Sequence, residues 1–374
     1  MPSPDRIRIL LLIPHLGGGG AEHVIDTLAR NLNPARYEIH LGLVTQSASP
    51  HPPPPPWVTI HPLNSSRVRY CALKLVRLIW LLRPAVVLSG MAHLNLLVLM
   101  LRPFLPTKTC ICVRQNGALS ATLGDASAQP SLARLFFAAA YRSANRVICQ
   151  TPAMATEIQH QLGVNHRKIK VLHNPVDLDA IRAIGSATPA EPASPSPRLV
   201  AVARLSPEKG LDLLLEAFAG LLKDHPAAEL DIFGKGPCET TLKAQCKSLA
   251  LHDHVHFRGE VLLPAAYFRA AAAFVLSSRH EGMPNALLEA AAAGLPIIAL
   301  PSSAGLVALL TGQSGVWLAA DISAAALKSA LSEAFPSVQS ARRFSHAWIE
   351  PFDRRRAIPA YQDMIEVVLR ESYS

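Results

Sequence analysis

The feature that most limits how this 374-residue chain can fold is an alternation of short apolar runs with helix-patterned runs, carried out twice. In the first array Ile7–Ile13, Tyr37–Val44, Val58–Ile60, Ala85–Leu88, Thr109–Val113, Arg146–Gln150 and Lys170–Leu172 have the length and aliphatic content of strands in a buried sheet. Helical patterns such as Ala21–Asn31 and Tyr70–Leu82 stand between them. In the second array strands Leu199–Ala203, Glu229–Phe233, Val255–Phe257, Ala273–Leu276 and Pro296–Leu300 alternate with helices Leu211–Leu222, Glu239–Ala250 and Pro284–Ala293. A helix between successive strands is a crossover, and crossovers build parallel sheets with helices on both faces. The expected class is therefore α/β, with two Rossmann-like doubly wound domains facing across a cleft. Residues 185–197 are rich in Pro, Ala and Ser and lack apolar periodicity, so they read as the linker between domains 1–184 and 198–345.

Ligands of open α/β sheets sit at the carboxyl ends of strands, which directs attention to the strand-to-helix turns. The most specific turn is Glu281-Gly282-Met283-Pro284-Asn285, running into a helix that carries Glu289. Pro284 suits the first helical position, and Gly294 and Pro296 stop the helix. Glu281 then lies in the loop, and Glu289 about a turn and a half into the helix. The first-turn amides and the helix dipole favour an anion, while carboxylates accept from hydroxyls. That combination suits a polyhydroxylated, anionic ligand. Arg204 ends the first strand of the second array and Lys209 precedes the next helix, positions from which cations can neutralise a diphosphate. Gly17–Gly20 after the first strand, and Gly234 with Gly236 later, allow close approach to backbone amides. The first of these loops is equally compatible with a dinucleotide fold. That fold, however, wants an acid at the next strand's end, where this chain has Thr45-Gln46-Ser47.

Ser277 through Asn285, with Glu281 and Glu289 eight positions apart, resembles the signature of retaining glycosyltransferases of the family 4 type, the group 1 enzymes with two facing Rossmann-like domains (GT-B). Gly-Gly-Ala-Glu-His (19–23), His173-Asn174-Pro175-Val176-Asp177 and Ala203–Gly210 are similar to the same family in the same order. The resemblance implies a metal-independent, retaining hexosyltransferase with no cofactor beyond its nucleotide-sugar substrate. It places Arg204 and Lys209 on the diphosphate, Glu289 on the ribose, and Glu281 on the donor sugar with Gly282, Met283, Pro284 and Asn285 in support. Gly19, Gly20, Gly234 and Arg258 line the donor, the last within a segment that faces the nucleobase mainly through its main chain. His93 is the candidate from the first domain, although the customary histidine aligns with Gly90. A last helix within 346–374 is expected to pack back on the first domain. After Leu300 the family carries a glutamate; this chain reads Pro301-Ser302-Ser303-Ala304-Gly305, with no acid.

Charge and hydropathy narrow the partners. Hydrophobic residues make up 50% of the chain, yet no apolar run reaches the ~20 residues that a bilayer span needs. The start shows no cleavable signal pattern, so a cytoplasmic protein is expected. Lys and Arg number 36 against 27 acids, and the basic residues surround the most apolar segments of the first half. A basic amphipathic face of this kind is attracted to anionic lipid, so a peripheral position at the inner face of the membrane is expected. No nucleic-acid motif accompanies the charge. The six cysteines lack C-x-x-C spacing and read as reduced structural thiols, and His252, His254 and His256 lack companion ligands for a metal. The acceptor expected is a membrane-associated saccharide or lipid-linked saccharide in cell-surface polysaccharide or lipopolysaccharide biosynthesis, with a UDP-N-acetylhexosamine donor. The alternatives are a nucleotide-sugar 2-epimerase, which needs a proton-abstracting cluster not apparent here, and a catalytically silent nucleotide-sugar binder.

Overall fold

The structure, a computed structural model, describes residues 6–17, 19–45, 52–117, 119, 132–186, 196–261 and 267–373. Gly18, Gln46, Ser47 and residues 187–195 of the expected linker lie outside the described residues. The chain forms two compact units, Met1–Pro175 with Arg354–Ser374, and Val176–Asp353.

The first unit holds strands β1 (Ile7–Ile13), β2 (Tyr37–Leu43), β3 (Val58–Pro62), β4 (Val86–Ser89), β5 (Cys110–Arg114), β6 (Arg146–Cys149) and β7 (Ile169–Val171). Its helices are α1 (Gly20–Asn31), α2 (Ala72–Leu82), α3 (Ala92–Leu101), α4 (Leu132–Ser143) and α5 (Pro152–Leu162). The sheet is parallel throughout in the order β3-β2-β1-β4-β5-β6-β7. Alternate residues of one strand feed opposite cores, as a pleated strand requires. Leu10 and Leu12 join α2, α3, α4 and α5, whereas Ile9, Leu11 and Ile13 join α1 and the carboxyl-terminal helix. Each such fully buried aliphatic contributes roughly 1.5–3 kcal/mol, and trimming one to Ala costs about 2–5 kcal/mol.

The second unit begins with helix α6 (Leu178–Ser186), then β8 (Arg198–Val202), α7 (Leu211–Leu222), β9 (Glu229–Phe233), α8 (Glu239–Ser248) and β10 (Val255–Gly259). It continues with β11 (Ala273–Leu276), α9 (Asn285–Ala292), β12 (Ile297–Ala299), α10 (Ala304–Leu310), β13 (Val316–Leu318) and α11 (Ala324–Gln339). Its sheet, again parallel, runs β10-β9-β8-β11-β12-β13. In both sheets the order reverses beside the first strand, at β1/β4 and at β8/β11, and such switch points open a crevice at the strands' carboxyl ends.

The unit boundaries correct those expected from sequence. The first crossing falls at 175/176 instead of 184, because α6 buries Leu178 and Ile181 in the second unit's core. The second falls at 353/354 instead of 345, because Ile349 and Phe352 are buried in that same core. Only then does α12 (Arg354–Tyr373) return to the first unit, burying Tyr361, Met364, Ile365 and Val368, the stripe an amphipathic helix presents. The two crossings are neighbours: Val176 N–H donates to the Phe352 carbonyl at 2.9 Å, and Val176 bridges Asp353. Helix α9 starts one residue later than expected, since Pro284 is its extended cap with ψ 125°. All six cysteines are free, five of them buried.

Candidate active site

The site in the second unit is built at the β8/β11 switch point. After β8 the chain turns through Arg204 and Ser206 into a single 3₁₀ turn, Pro207–Lys209, before α7. After β11, Ser277–Pro284 lead into α9. Lys209 Nζ donates to Glu281 Oε1 at 2.5 Å, and Ser278 Oγ donates to the same oxygen at 2.7 Å. Glu281 is largely buried, its side chain 11% exposed against 22% for Lys209. Two donors on Oε1 fix the carboxylate, while Oε2 accepts no hydrogen bond from the described residues. An ionised acceptor held in this way is set to take a hydroxyl.

The loops are locked together around this pair. Ser277 Oγ donates to the Lys209 carbonyl at 2.9 Å. Arg279 grips Asp212 through both terminal nitrogens at 2.7 and 2.5 Å, and its Nη1 also reaches the Pro207 carbonyl at 2.8 Å. The Arg279 hydrogen bonds hold the Asp212 carboxyl below its ordinary range. Gly210 has φ +59°, and a Cβ there would lie 2.1 Å from the Ser277 carbonyl oxygen, so only glycine lets the two loops meet. Gly234, with φ +137°, admits no Cβ either, because one would sit 1.9 Å from the Ala203 carbonyl oxygen.

Glu289 lies in the fifth position of α9 and keeps partial solvent access. Its carboxyl makes no hydrogen bond or ion pair among the described residues, and burial pushes its pKa from 4.5 up to about 7. A carboxylate buried without a partner is costly, and its natural occupants are donors such as hydroxyls. Arg204 is exposed, and its guanidinium makes no hydrogen bond or ion pair among the described residues, acting only through space on Glu208. Lys209, Glu281, Gly282, Met283, Pro284, Asn285 and Glu289 thus occupy adjoining segments of one loop–helix assembly, with Arg204 and Gly234 on neighbouring strand ends.

Other expected residues stand elsewhere. Arg258 is on β10, where Asp231 binds its Nε at 2.7 Å; that carboxylate also meets Arg198 at 3.4 Å. Its side chain therefore does not join the Glu281 group. His93 belongs to the first unit, exposed in the first turn of α3 with no hydrogen bond among the described residues. Gly19 caps α1 and Gly20 opens it; a Cβ on Gly19 would strike Glu22 at 2.1 Å. Sequence reasoning missed Ser278 as a partner of Glu281 and the Asp212–Arg279 lock. It also missed Ser302, whose carbonyl accepts the Glu281 N–H at 3.4 Å and whose buried Oγ has no partner among the described residues. In the acid-free turn after Leu300, Ser303 caps α10 by accepting from Leu306 N.

A cavity of about 560 Å3 opens on the far side of the 3₁₀ turn, lined by Ser206, Glu208, Asp212 and Arg279. None of Arg204, Lys209, Glu281 and Glu289 lines it, so it is not the crevice built by the acids.

Two parallel, doubly wound sheets in two compact units, one carrying an acid–lysine pair at its switch point, define a two-domain, Rossmann-like α/β architecture. Residues 189–348 match the family described as glycosyl transferases group 1, and residues 18–180 match glycosyltransferase family 4. The chain belongs to the family 4 type of group 1 glycosyltransferases. It is 25% identical over 228 residues to a lipopolysaccharide core biosynthesis glycosyltransferase of Rhizobium meliloti, covering 60% of this chain and 65% of that one. Over the first curated relatives that it matches, the chain spans about half or less of their length. The fold is shared with sucrose-phosphate synthase from Thermosynechococcus elongatus, with TM-score 0.79, 19% identity and coverage of 98% of this chain and 100% of that one. An Anabaena protein crystallised with UDP and glucose gives TM-score 0.74 at 15% identity, covering 97% of this chain and all of the other.

Proposed function

We propose that this chain is a retaining, metal-independent glycosyltransferase. It would move a sugar from a nucleotide-sugar donor, a UDP-N-acetylhexosamine in the specific reading, to a membrane-associated saccharide or lipid-linked acceptor at the inner face of the membrane. The observation that carries the reading is the Lys209–Glu281 contact of 2.5 Å at the β8/β11 switch point, with Glu289 about a turn and a half beyond Pro284 and Arg204, without an ion pair among the described residues, at the end of β8. A transferase expelling a nucleoside diphosphate must stabilise the charge that grows on the leaving group. A cation about 4 Å away contributes roughly 4 kcal/mol at an effective dielectric near 20, about a thousandfold in rate. Arg204 and Lys209 supply that cationic edge. Glu281 Oε2 accepts a donor-sugar hydroxyl, and Glu289 accepts from the ribose.

Because Lys209 and Ser278 both bind Glu281 Oε1, this carboxylate suits positioning better than nucleophilic attack. The chemistry is then front-face: the departing diphosphate oxygen takes the acceptor's proton as the acceptor oxygen bonds the anomeric carbon. Support for UDP and for a lipid-linked or lipopolysaccharide acceptor comes from the relatives' own descriptions and from the basic first unit. Among the described residues no helix is long and apolar enough to cross a membrane.

The test is release of nucleoside diphosphate from a panel of nucleotide sugars, with and without lipid extract, for wild type and Glu281→Ala. Lipid-dependent release from one donor, lost in the variant, is expected. Equal rates in the variant sink the site. Free N-acetylmannosamine from UDP-GlcNAc without acceptor points to the epimerase, and binding without release to the silent binder, the reading that the missing acid after Leu300 favours.

A further inference from the structure

The charge and the exposed apolar surface of the first unit are concentrated in one helical layer. Between residues 67 and 143 the sequence has ten Lys and Arg, nine on α2, α3, α4 and their adjoining turns and one, Arg114, buried at the end of β5; the single acid of that stretch, Asp125, lies outside the described residues, and α5 in the same layer adds one acid, Glu157. Among the described residues, eight of the fourteen exposed large apolar side chains belong to α2, α3, α4 and the turns joining them and a ninth, Tyr70, to the turn before α2, against two in the second unit. Leu73, Leu81, Phe104 and Leu132 are each more than 60% exposed, at 76%, 78%, 66% and 87%. Among the described residues, the helices on the opposite face of the sheet expose one large apolar side chain, Val367. Apolar residues crowded on one basic face are a surface made to be covered.

This face also holds a groove. Between α3 and α4 a cavity of about 600 Å3 is lined by Leu99, Met100, Leu105, Ile111, Phe136 and Ala139, with Arg102, Thr107 and Thr109 supplying its polar lining and no acidic residue in it. Its volume falls within the ~300–1,000 Å3 usual for ligand pockets. Lys108 sits between the lining residues Thr107 and Thr109, exposed and without an ion pair among the described residues. Arg102 is held at the mouth by Asn145, its Nη1 donating to Oδ1 at 2.7 Å. The groove lies where β5 begins, at the opposite end of the strands from the glycine loop and His93.

We propose that this groove takes one acyl chain of an anionic phospholipid, whose phosphate rests on Lys108 and Arg102. The inference rests on the membrane reading above and deepens it: the protein is held by a bound lipid molecule as well as by diffuse attraction. Apolar walls beneath a cationic, acid-free mouth match the two halves of such a lipid, whereas a soluble saccharide would leave the walls uncovered. Because the groove is remote from the acids and cations of the second unit's site, its occupancy governs recruitment and not the chemistry.

The test is flotation of the full-length protein with phosphatidylcholine vesicles, with and without phosphatidylglycerol. Ala139→Trp narrows the groove without altering charge, and any aromatic surface that it adds to the face would favour vesicle binding, so a loss reports on the groove; Lys108→Glu reverses the cation, and a thermal melt checks the fold of each. Wild type should bind only vesicles containing phosphatidylglycerol, less so at high salt. Ala139→Trp should lose about tenfold or more, and Lys108→Glu about fivefold or more. Acceptor-free hydrolysis of the donor should be unchanged in both. If wild type binds neither vesicle, the membrane reading itself fails. If wild type binds phosphatidylglycerol and Ala139→Trp binds equally well, the groove is not the site. A wild-type dimer that Ala139→Trp converts to a monomer, with vesicle binding intact, would make the face a self-association surface and overturn the proposal.

Discussion

Replacing Glu289 by Gln should make the protein more stable and less active, with a stability gain that depends on pH. The carboxyl has no hydrogen-bonding partner among the described residues, and burial raises its pKa from 4.5 to about 7. A shift of that size corresponds to roughly 3 kcal/mol at about 1.36 kcal/mol per pKa unit. Gln still gives up hydration at the same place, and Glu289 keeps some solvent, so about 1–3 kcal/mol is the expected gain. The sign follows from linkage. A carboxyl whose folded pKa is raised contributes its stability fully below about 4.5, loses it as pH climbs to about 7, and is level above that. Wild type therefore carries the whole penalty at about pH 8 and almost none near pH 4.5, whereas the amide carries the same cost at both. At ~2–4 °C per kcal/mol for a unit of this size, the variant's melting transition at about pH 8 should lie roughly 2–10 °C above wild type, converging in acid. Calorimetry or dye-based melting at the two pH values measures it. In the same variant, loss of a charged acceptor for a ribose hydroxyl should reduce kcat/KM by about 10–100-fold. A melting difference that is equal at both pH values, or wild type the more stable at about pH 8, refutes the reasoning.

Lys209→Ala removes the ammonium from Glu281 and from the diphosphate together, so diphosphate release should fall about 100–1,000-fold, and Lys209→Arg should restore only part of it. Arg204→Ala should leave the unfolding free energy within about 0.5 kcal/mol of wild type while slowing turnover, since its exposed guanidinium has no hydrogen bond or ion pair to lose among the described residues; a matching loss of stability would contradict that. Gly210→Ala places a Cβ against the Ser277 carbonyl at φ +59° and should cost about 1–3 kcal/mol by chemical denaturation, with activity falling beyond what the unfolded fraction explains.

The sheets were legible because each strand is a near-continuous apolar run, the pattern that burial on both faces produces. The unit boundaries were not, since composition reports where periodicity fails, not which core a segment joins. Residues 178–186 carry an ordinary amphipathic pattern whose partners, on α9, lie about a hundred residues away. The acid pair, Arg204 and Lys209 were legible as a motif, yet the hydrogen bond of Ser278 to Glu281 depends on loop conformation and left no spacing to read. The ion pair of Arg258 with Asp231 was not legible either, because the two are set side by side only by the pairing of β9 with β10.

The return of α12 to the first unit has a consequence for how the protein is made. Everything from Val176 to Asp353 is synthesised between the first sheet and the helix that supplies Tyr361, Met364, Ile365 and Val368 to its core. Tyr361 also accepts from Arg114, the fully buried guanidinium at the end of β5. On the ribosome the amino-terminal half therefore waits, with one flank of its sheet bare, while the segment encoded after it has every residue it needs. A chain truncated just before residue 354 would hold every residue of the second unit's core while leaving that flank of the first sheet uncovered.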